Sequence, residues 1–283
     1  MPDMSGHVVV VTDSTAYLPR AQAEAADVIV VPVQVVLGGE SYDETDVSSK
    51  DVATALRDWT PVSTSRPTPA AFAEVYAAAA ASGAVGIVSV HLSGSMSATV
   101  ESAELAAKEA VIPVRVIDSR SIGMGLGFPA LGGAHAAQSG ADLITVERIV
   151  RDRCARSSVL FYVDTLEYLR RGGRIGKAAA LVGSALSVKP LLHLMDGHVA
   201  PLEKVRTASK ALARLEEITV ERVGDGAADV AVQHLANPDR AQVLVARLQE
   251  RLGGAVAVTV GEVGAVVGAH VGPGMIAVSI SPR

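Results

Sequence analysis

The chain has 283 residues, a net charge of −5, 49% hydrophobic residues and 19% charged ones. That length exceeds what one hydrophobic core usually fills, and the acidic balance supplies no global positive field to draw the chain to nucleic acid or an anionic membrane. Cys154 is the one cysteine, which excludes an internal disulfide, fits a reducing compartment and reads as a core residue.

In chain order, residues 7–11 are an apolar run of strand length, followed at once by Thr12-Asp13-Ser14-Thr15, side chains suited to a helix N-cap. Residues 28–37, 84–90 and 114–117 read as further strands, with alanine-rich amphipathic helices over 70–81 and 99–110 between them. Strand alternating with helix predicts an α/β domain, a parallel sheet with helices on both faces. Polar residues follow three of these strands: Thr12 to Ser14, His91-Leu92-Ser93 and Asp118-Ser119. Ligands of open α/β sheets sit at the carboxyl ends of strands, so this is where a site is expected.

The second half has another rhythm. A strand over 158–163 opens it, and 191–202 reads as a hairpin on the turn Asp196-Gly197. Helices are predicted over 207–223 and 238–252, and strands over 228–234, 255–260, 263–269 and 275–280, which together make an α+β domain. The boundary falls near residue 157, giving domains 1–157 and 158–283. Residues 256–280 are apolar enough to suggest a membrane span, but Glu262, His270 and the turn Gly272-Pro273-Gly274 interrupt them, and buried strands fit better. The first residues lack a basic segment followed by an apolar one, so a cytoplasmic protein without a signal peptide is expected.

Familiar enzyme signatures fail on inspection. In Gly123-Met124-Gly125-Leu126-Gly127 the third glycine of a dinucleotide loop falls on Phe128. Gly176-Lys177 is followed by Ala178 where a P-loop needs a hydroxyl. No G-x-S-x-G frames Ser93, Ser95 or Ser97, and the seven histidines lack metal spacing. On chemistry alone each polar piece has a structural reading. Ser97 caps the helix near Thr99, Pro69 starts the helix at 70, His270 precedes a tight turn, and Arg170, Arg171 and Arg174 complement a short helix stopped by Gly172-Gly173.

The order of these pieces says more. Tyr168-Leu169-Arg170-Arg171-Gly172-Gly173-Arg174-Ile175, 188–192 and Lys204-Val205-Arg206-Thr207 come with Thr64-Ser65-Arg66-Pro67, residues 91–97 and His270-Val271-Gly272-Pro273-Gly274. Together with Thr12 to Thr15, Asp118-Ser119 and Gly123 to Gly125, this resembles the DegV family over nearly the whole chain. The resemblance implies a Rossmann-like N-terminal domain and a C-terminal domain lining an acyl tunnel. It implies a non-catalytic lipid-binding protein that presents a long-chain fatty acid to the ATP-binding subunit of a fatty acid kinase for phosphorylation to acyl phosphate. It assigns the carboxyl group to Thr64 and Ser97, with His270 a further partner and Ser93 an alternative to Ser97. It assigns phosphate handling and kinase contact to Arg174 and Arg206. No metal and no cofactor beyond the bound fatty acid are implied, and transient membrane contact is compatible with the role. Two other classes stay open at this point: a serine-dependent hydrolase or transferase using Ser97 with His270, and a nucleotide-binding regulator.

Overall fold

The structure, a computed structural model, describes residues 6–58, 60–181, 189–254 and 256–283. β1 (His7–Asp13) opens the chain, followed by α1 (Arg20–Ala25) and β2 (Val28–Val31). The apolar run expected as one strand over 28–37 breaks at Pro32, whose missing N–H and fixed φ end the ladder. Beyond it lies β3 (Gln34–Leu37), paired antiparallel with β4 (Glu40–Asp43) and, after α2 (Ser49–Arg57), with β5 (Val62–Ser65). These three strands form a small separate sheet that sequence reasoning missed.

The next helices and strands alternate: α3 (Pro69–Ala81), β6 (Ala84–His91), α4 (Thr99–Ala107), β7 (Val114–Asp118), α5 (Met124–Gln138) and α6 (Leu143–Arg156). β2, β1, β6 and β7 lie side by side in that order, all parallel. Alternation along β1 decides its two faces. Val9 and Val11 pack with Phe72, Tyr76 and Ala103 of α3 and α4, whereas Val8 and Val10 pack with Leu126, Ala130 and Val146 of α5 and α6. Helices cover both faces, as the alternating pattern predicts. α3 is capped as expected, with Pro69 at its start and Thr68 Oγ1 accepting from Ala71 N at 3.2 Å.

β8 (Ser158–Tyr162) and α7 (Glu167–Arg171) lead into the hairpin β9 (Lys189–Met195) and β10 (His198–Val205), which turns on Asp196 and Gly197, both with positive φ. α8 (Ala208–Val223), β11 (Ala228–His234), α9 (Pro238–Leu252), β12 (Ala257–Glu262), α10 (Ala265–Val271) and β13 (Ile276–Pro282) complete the chain. The second sheet has six strands in the order β10-β9-β8-β13-β11-β12, and only β11 and β12 run parallel. α8 and α9 cover one face, burying Leu160, Tyr162, Val230, Val232 and Val278. The other face turns toward α5, α7 and α10.

The expected strand over 263–269 is a helix. Val263, Val266 and Val267 have β-branched side chains, but the Glu44 carboxylate accepts from Val266 N at 2.8 Å and the Tyr17 hydroxyl accepts from Val267 N at 3.0 Å. Those two acceptors satisfy amides at the start of α10, and tertiary contact overrides β-branched propensity. Among the described residues no helix is long and apolar enough to cross a membrane. Residues 182–188, and with them Ser187-Val188 of the motif region, lie outside the described residues, as does Ala255.

Candidate functional site

A cavity of about 320 Å³ lies where the carboxyl ends of the parallel strands meet the face of the six-stranded sheet opposite α8 and α9. Tyr17 after β1, Leu92 after β6 and Ile122 after β7 reach it from one side. Val159 and Phe161 of β8, Leu194 of β9, Val199 of β10 and Ala277 of β13 form the opposite wall. α10 contributes Val266, Val267 and Val271, so most of the lining is hydrocarbon.

Two polar groups of the lining are in direct contact. Thr64 on β5 and His270 on α10, 206 residues apart, meet with Oγ1 3.0 Å from Nε2. His270 Nδ1 is buried without a hydrogen-bond partner. Burial, and then the positive charge of Arg174, push the imidazole down to about 4, so it is neutral near pH 7. A neutral ring with an isolated Nδ1 is less strained as the Nε2–H tautomer, because an unmet N–H costs more than a lone pair left without a donor. The ring sits hard against the chain at Gly172, where a Cβ would come within 2.0 Å of Nδ1. Gly172 itself is right-handed, and the helix stop is left to Gly173 at φ 69°.

Ser97 lines the same cavity. It does not cap α4 as expected; its Oγ pairs with Thr99 Oγ1 at 2.9 Å, and the N-cap is Ala98, which has no side-chain acceptor. Arg174 lies across the rim, its Nε donating to Met96 O at 3.0 Å and its Nη1 to Gly172 O at 2.7 Å. One guanidinium therefore ties the loop after β6 to the turn after α7.

Two candidates lie elsewhere. Ser93 is fully buried and is not among the described residues lining the cavity; its hydroxyl donates to Gly197 O at 2.8 Å and accepts from Ser95 N at 3.2 Å, fastening the β6 loop to the β9–β10 turn. With that hydroxyl already engaged, Ser97 is the serine that faces the cavity. Arg206 is exposed just beyond β10 and is not among the lining residues either. Nor do the polar groups after the strands line the cavity: the Thr12 hydroxyl is buried without a partner among the described residues, and protein groups hold the others. Ser14 donates to Glu44, Ser119 donates to Ser121 O at 3.3 Å, and Asp118 accepts from Arg120 N at 2.8 Å.

Asp13, His91 and Ser89 form a buried chain with the outline of a hydrolase triad, His91 Nδ1 lying 3.1 Å from Asp13 Oδ2 and Nε2 2.7 Å from Ser89 Oγ. All three are fully buried and Tyr76 donates to the serine at 2.8 Å, so no substrate reaches it. Ser97 and His270 are not hydrogen-bonded to each other; the Ser97 hydroxyl pairs with Thr99 and His270 Nε2 with Thr64. The nucleophile and base arrangement of a serine hydrolase is therefore not assembled here.

Sequence reasoning missed three residues of this region. Glu44 is buried and holds Ser14, Tyr17 and Val266 N together; burial raises its carboxyl group above the ordinary range. Tyr17 lines the cavity in a left-handed conformation at φ 49°. Gln233 lines it from near the end of β11. Nothing local marked them: Glu44 is one of several acids in residues 40–46, and Tyr17 and Gln233 carry no motif.

A family model described as "Uncharacterised protein, DegV family COG1307" matches residues 7–283. A DegV domain-containing protein of Streptomyces coelicolor is 54% identical over 281 residues, spanning 99% of this chain and 100% of the relative. One from Mycobacterium tuberculosis is 39% identical over 279 residues, 96% of each. The fold superposes on a DegV family protein from Thermus thermophilus, whose structure addresses fatty acid binding, with a TM-score of 0.91 at 31% identity, covering 98% of this chain and 100% of that one. DegV from Bacillus subtilis, a fatty acid binding protein, gives 0.90 at 29% identity with the same coverage.

Proposed function

The chain belongs to the DegV family, and on that premise we propose that it holds a long-chain fatty acid in the cavity, with the carboxyl group at Thr64 and His270. The observation that carries this reading is the cavity's lining: mostly hydrocarbon, with a hydroxyl and a neutral imidazole in contact. A chain of about sixteen carbons brings roughly fifteen methylene and methyl groups at ~0.8 kcal/mol each, about 12 kcal/mol gross before the costs of association. Its carboxylate is expensive to bury unless hydrogen-bonded. Thr64 Oγ1 and the Nε2–H of His270 supply two donors when they turn from each other to the ligand, and Ser97 is placed to supply a third.

The role needs no cofactor and no catalysis by this chain. The bound carboxyl group is presented to the ATP-binding subunit of a fatty acid kinase, which phosphorylates it to an acyl phosphate. Arg174, exposed at the rim and already joining two loops, faces the incoming phosphate and the docking partner; Arg206 contributes farther out on the surface.

Native mass spectrometry of the purified protein tests the binding step. One long-chain fatty acid per chain is expected to co-purify, and delipidated protein is expected to take up palmitate at one to one. A protein that carries a nucleotide, or that stays empty in the presence of palmitate, overturns the reading.

A further inference from the structure

The cavity wall holds one polar group that a plain acyl chain leaves unused. Gln233 is 3% exposed, and its register partner is Ala277, which pairs in turn with Phe161. Because Ala277 and Phe161 both line the cavity, Gln233 belongs to the hydrocarbon wall rather than to the Thr64 and His270 pair. Its Oε1 accepts from Met124 N at 2.9 Å. A backbone N–H can only donate, so that bond decides which end of the carboxamide is oxygen. The amide is also held in place, since a Cβ at Gly123 would lie 2.5 Å from Oε1; the close approach of β11 to the start of α5 depends on glycine there. Nε2, with two N–H donors, has no acceptor among the described residues. A donor in this wall loses access to water when an acyl chain fills the cavity, which is costly, and a leucine or methionine would line a plain tunnel without that cost.

We infer that the site takes fatty acids bearing an oxygen on the hydrocarbon chain, hydroxy or oxo acids, with Gln233 Nε2 donating to that oxygen. This rests on the fatty acid reading above and names the substrate class of the same site. A hydroxyl or ketone at the right carbon satisfies the orphan donor, whereas an unsubstituted methylene leaves it unmet. A site built to hydrogen-bond a substrate oxygen discriminates against the analogue lacking it.

The test is competition of stearate, and of positional series of hydroxystearates and oxostearates, against a fluorescent fatty acid on the delipidated full chain. At least one positional isomer is expected to bind about tenfold or more tightly than stearate, the effect of one satisfied buried donor. Gln233→Met removes the amide at similar length and is expected to abolish that ratio, raising stearate affinity and lowering that of the isomer. Its melting curve and its binding of stearate show whether it is folded. Gln233→Glu keeps an acceptor for Met124 N but removes the donor, and is expected to lose oxo acids more than hydroxy acids. If stearate binds and no isomer exceeds it, or if the ratio survives Gln233→Met, this inference falls alone. If no fatty acid binds at all, the parent reading falls and takes this one with it. Should the variants not fold, the wild-type isomer series decides.

Discussion

Replacing Thr64 by valine keeps the shape of the side chain and deletes the hydroxyl. In the empty protein this strands His270 Nε2, whose partner is Thr64 Oγ1 at 3.0 Å, next to an Nδ1 that is already unpartnered. Losing one buried hydrogen bond costs about 1 kcal/mol, which lowers the melting temperature by about 2–4 °C for a chain of this size. In the complex the loss is larger, because the bond removed is to a charged carboxylate and worth about 1.5–3 kcal/mol. That corresponds to roughly 10- to 150-fold in Kd. Displacement of a fluorescent fatty acid by palmitate, run beside calorimetric melts on delipidated protein, reads both numbers. A Kd within about twofold of wild type, less than any charge-assisted bond would give, refutes the placement of the carboxyl group at this pair. Adding Ser97→Ala tests whether the serine is a third donor: the double variant should lose more than Thr64→Val alone.

Gly172→Ala is expected to weaken palmitate binding and lower the melting temperature by an amount set by about 1–3 kcal/mol of overpacking, because its Cβ would enter the His270 ring; Gly173→Ala, with open space but φ 69°, should leave binding unchanged. Folding should also depend on pH through His270. Below 6.5 the unfolded chain takes up a proton that the folded ring refuses until about 4, so wild-type stability falls across that window relative to His270→Gln, by on the order of 3 kcal/mol at its end. Melting temperatures of the two proteins at pH 7, 5.5 and 4 check it; parallel curves sink it. Arg174→Ala is expected to hold palmitate normally yet form little acyl phosphate with a cognate kinase subunit and ATP. Arg170→Ala and Arg171→Ala serve as comparisons, since both guanidinium groups already engage Glu167. Equal turnover by all three variants removes the rim from the docking surface.

How much of this was legible beforehand depended on whether the cause was local. The 191–202 hairpin was readable because Asp196-Gly197 dictates its own turn, and β1, β6 and β7 because apolar runs between amphipathic helices leave few alternatives. α10 was not readable, since the acceptors that make it a helix, Glu44 and Tyr17, lie more than two hundred positions away. Residues 28–37 misled because one proline splits them between two sheets. At the site, Thr64, Ser97, His270 and Arg174 were singled out only by resemblance; nothing in their neighbourhood announces that four distant segments meet. Ser93 and Ser97 could not be separated from sequence, because what separates them is that Gly197 O claims the first.

The order of strands in the second sheet also bears on how the protein reaches this state. β13, the last strand in sequence, lies between β8 and β11, and its residues pair with both. The sheet therefore cannot grow by adding neighbours one at a time from the hairpin outward; β8 to β10 and β11 to β12 are two fragments until β13 arrives and joins them. Such long-range pairing must be closed before it is rewarded, which slows folding. The cavity floor is made of the row that β13 completes, with Phe161 on one flank and Gln233 on the other. A partly folded chain thus lacks the floor of the cavity, and the pocket is complete only when β13 is in place.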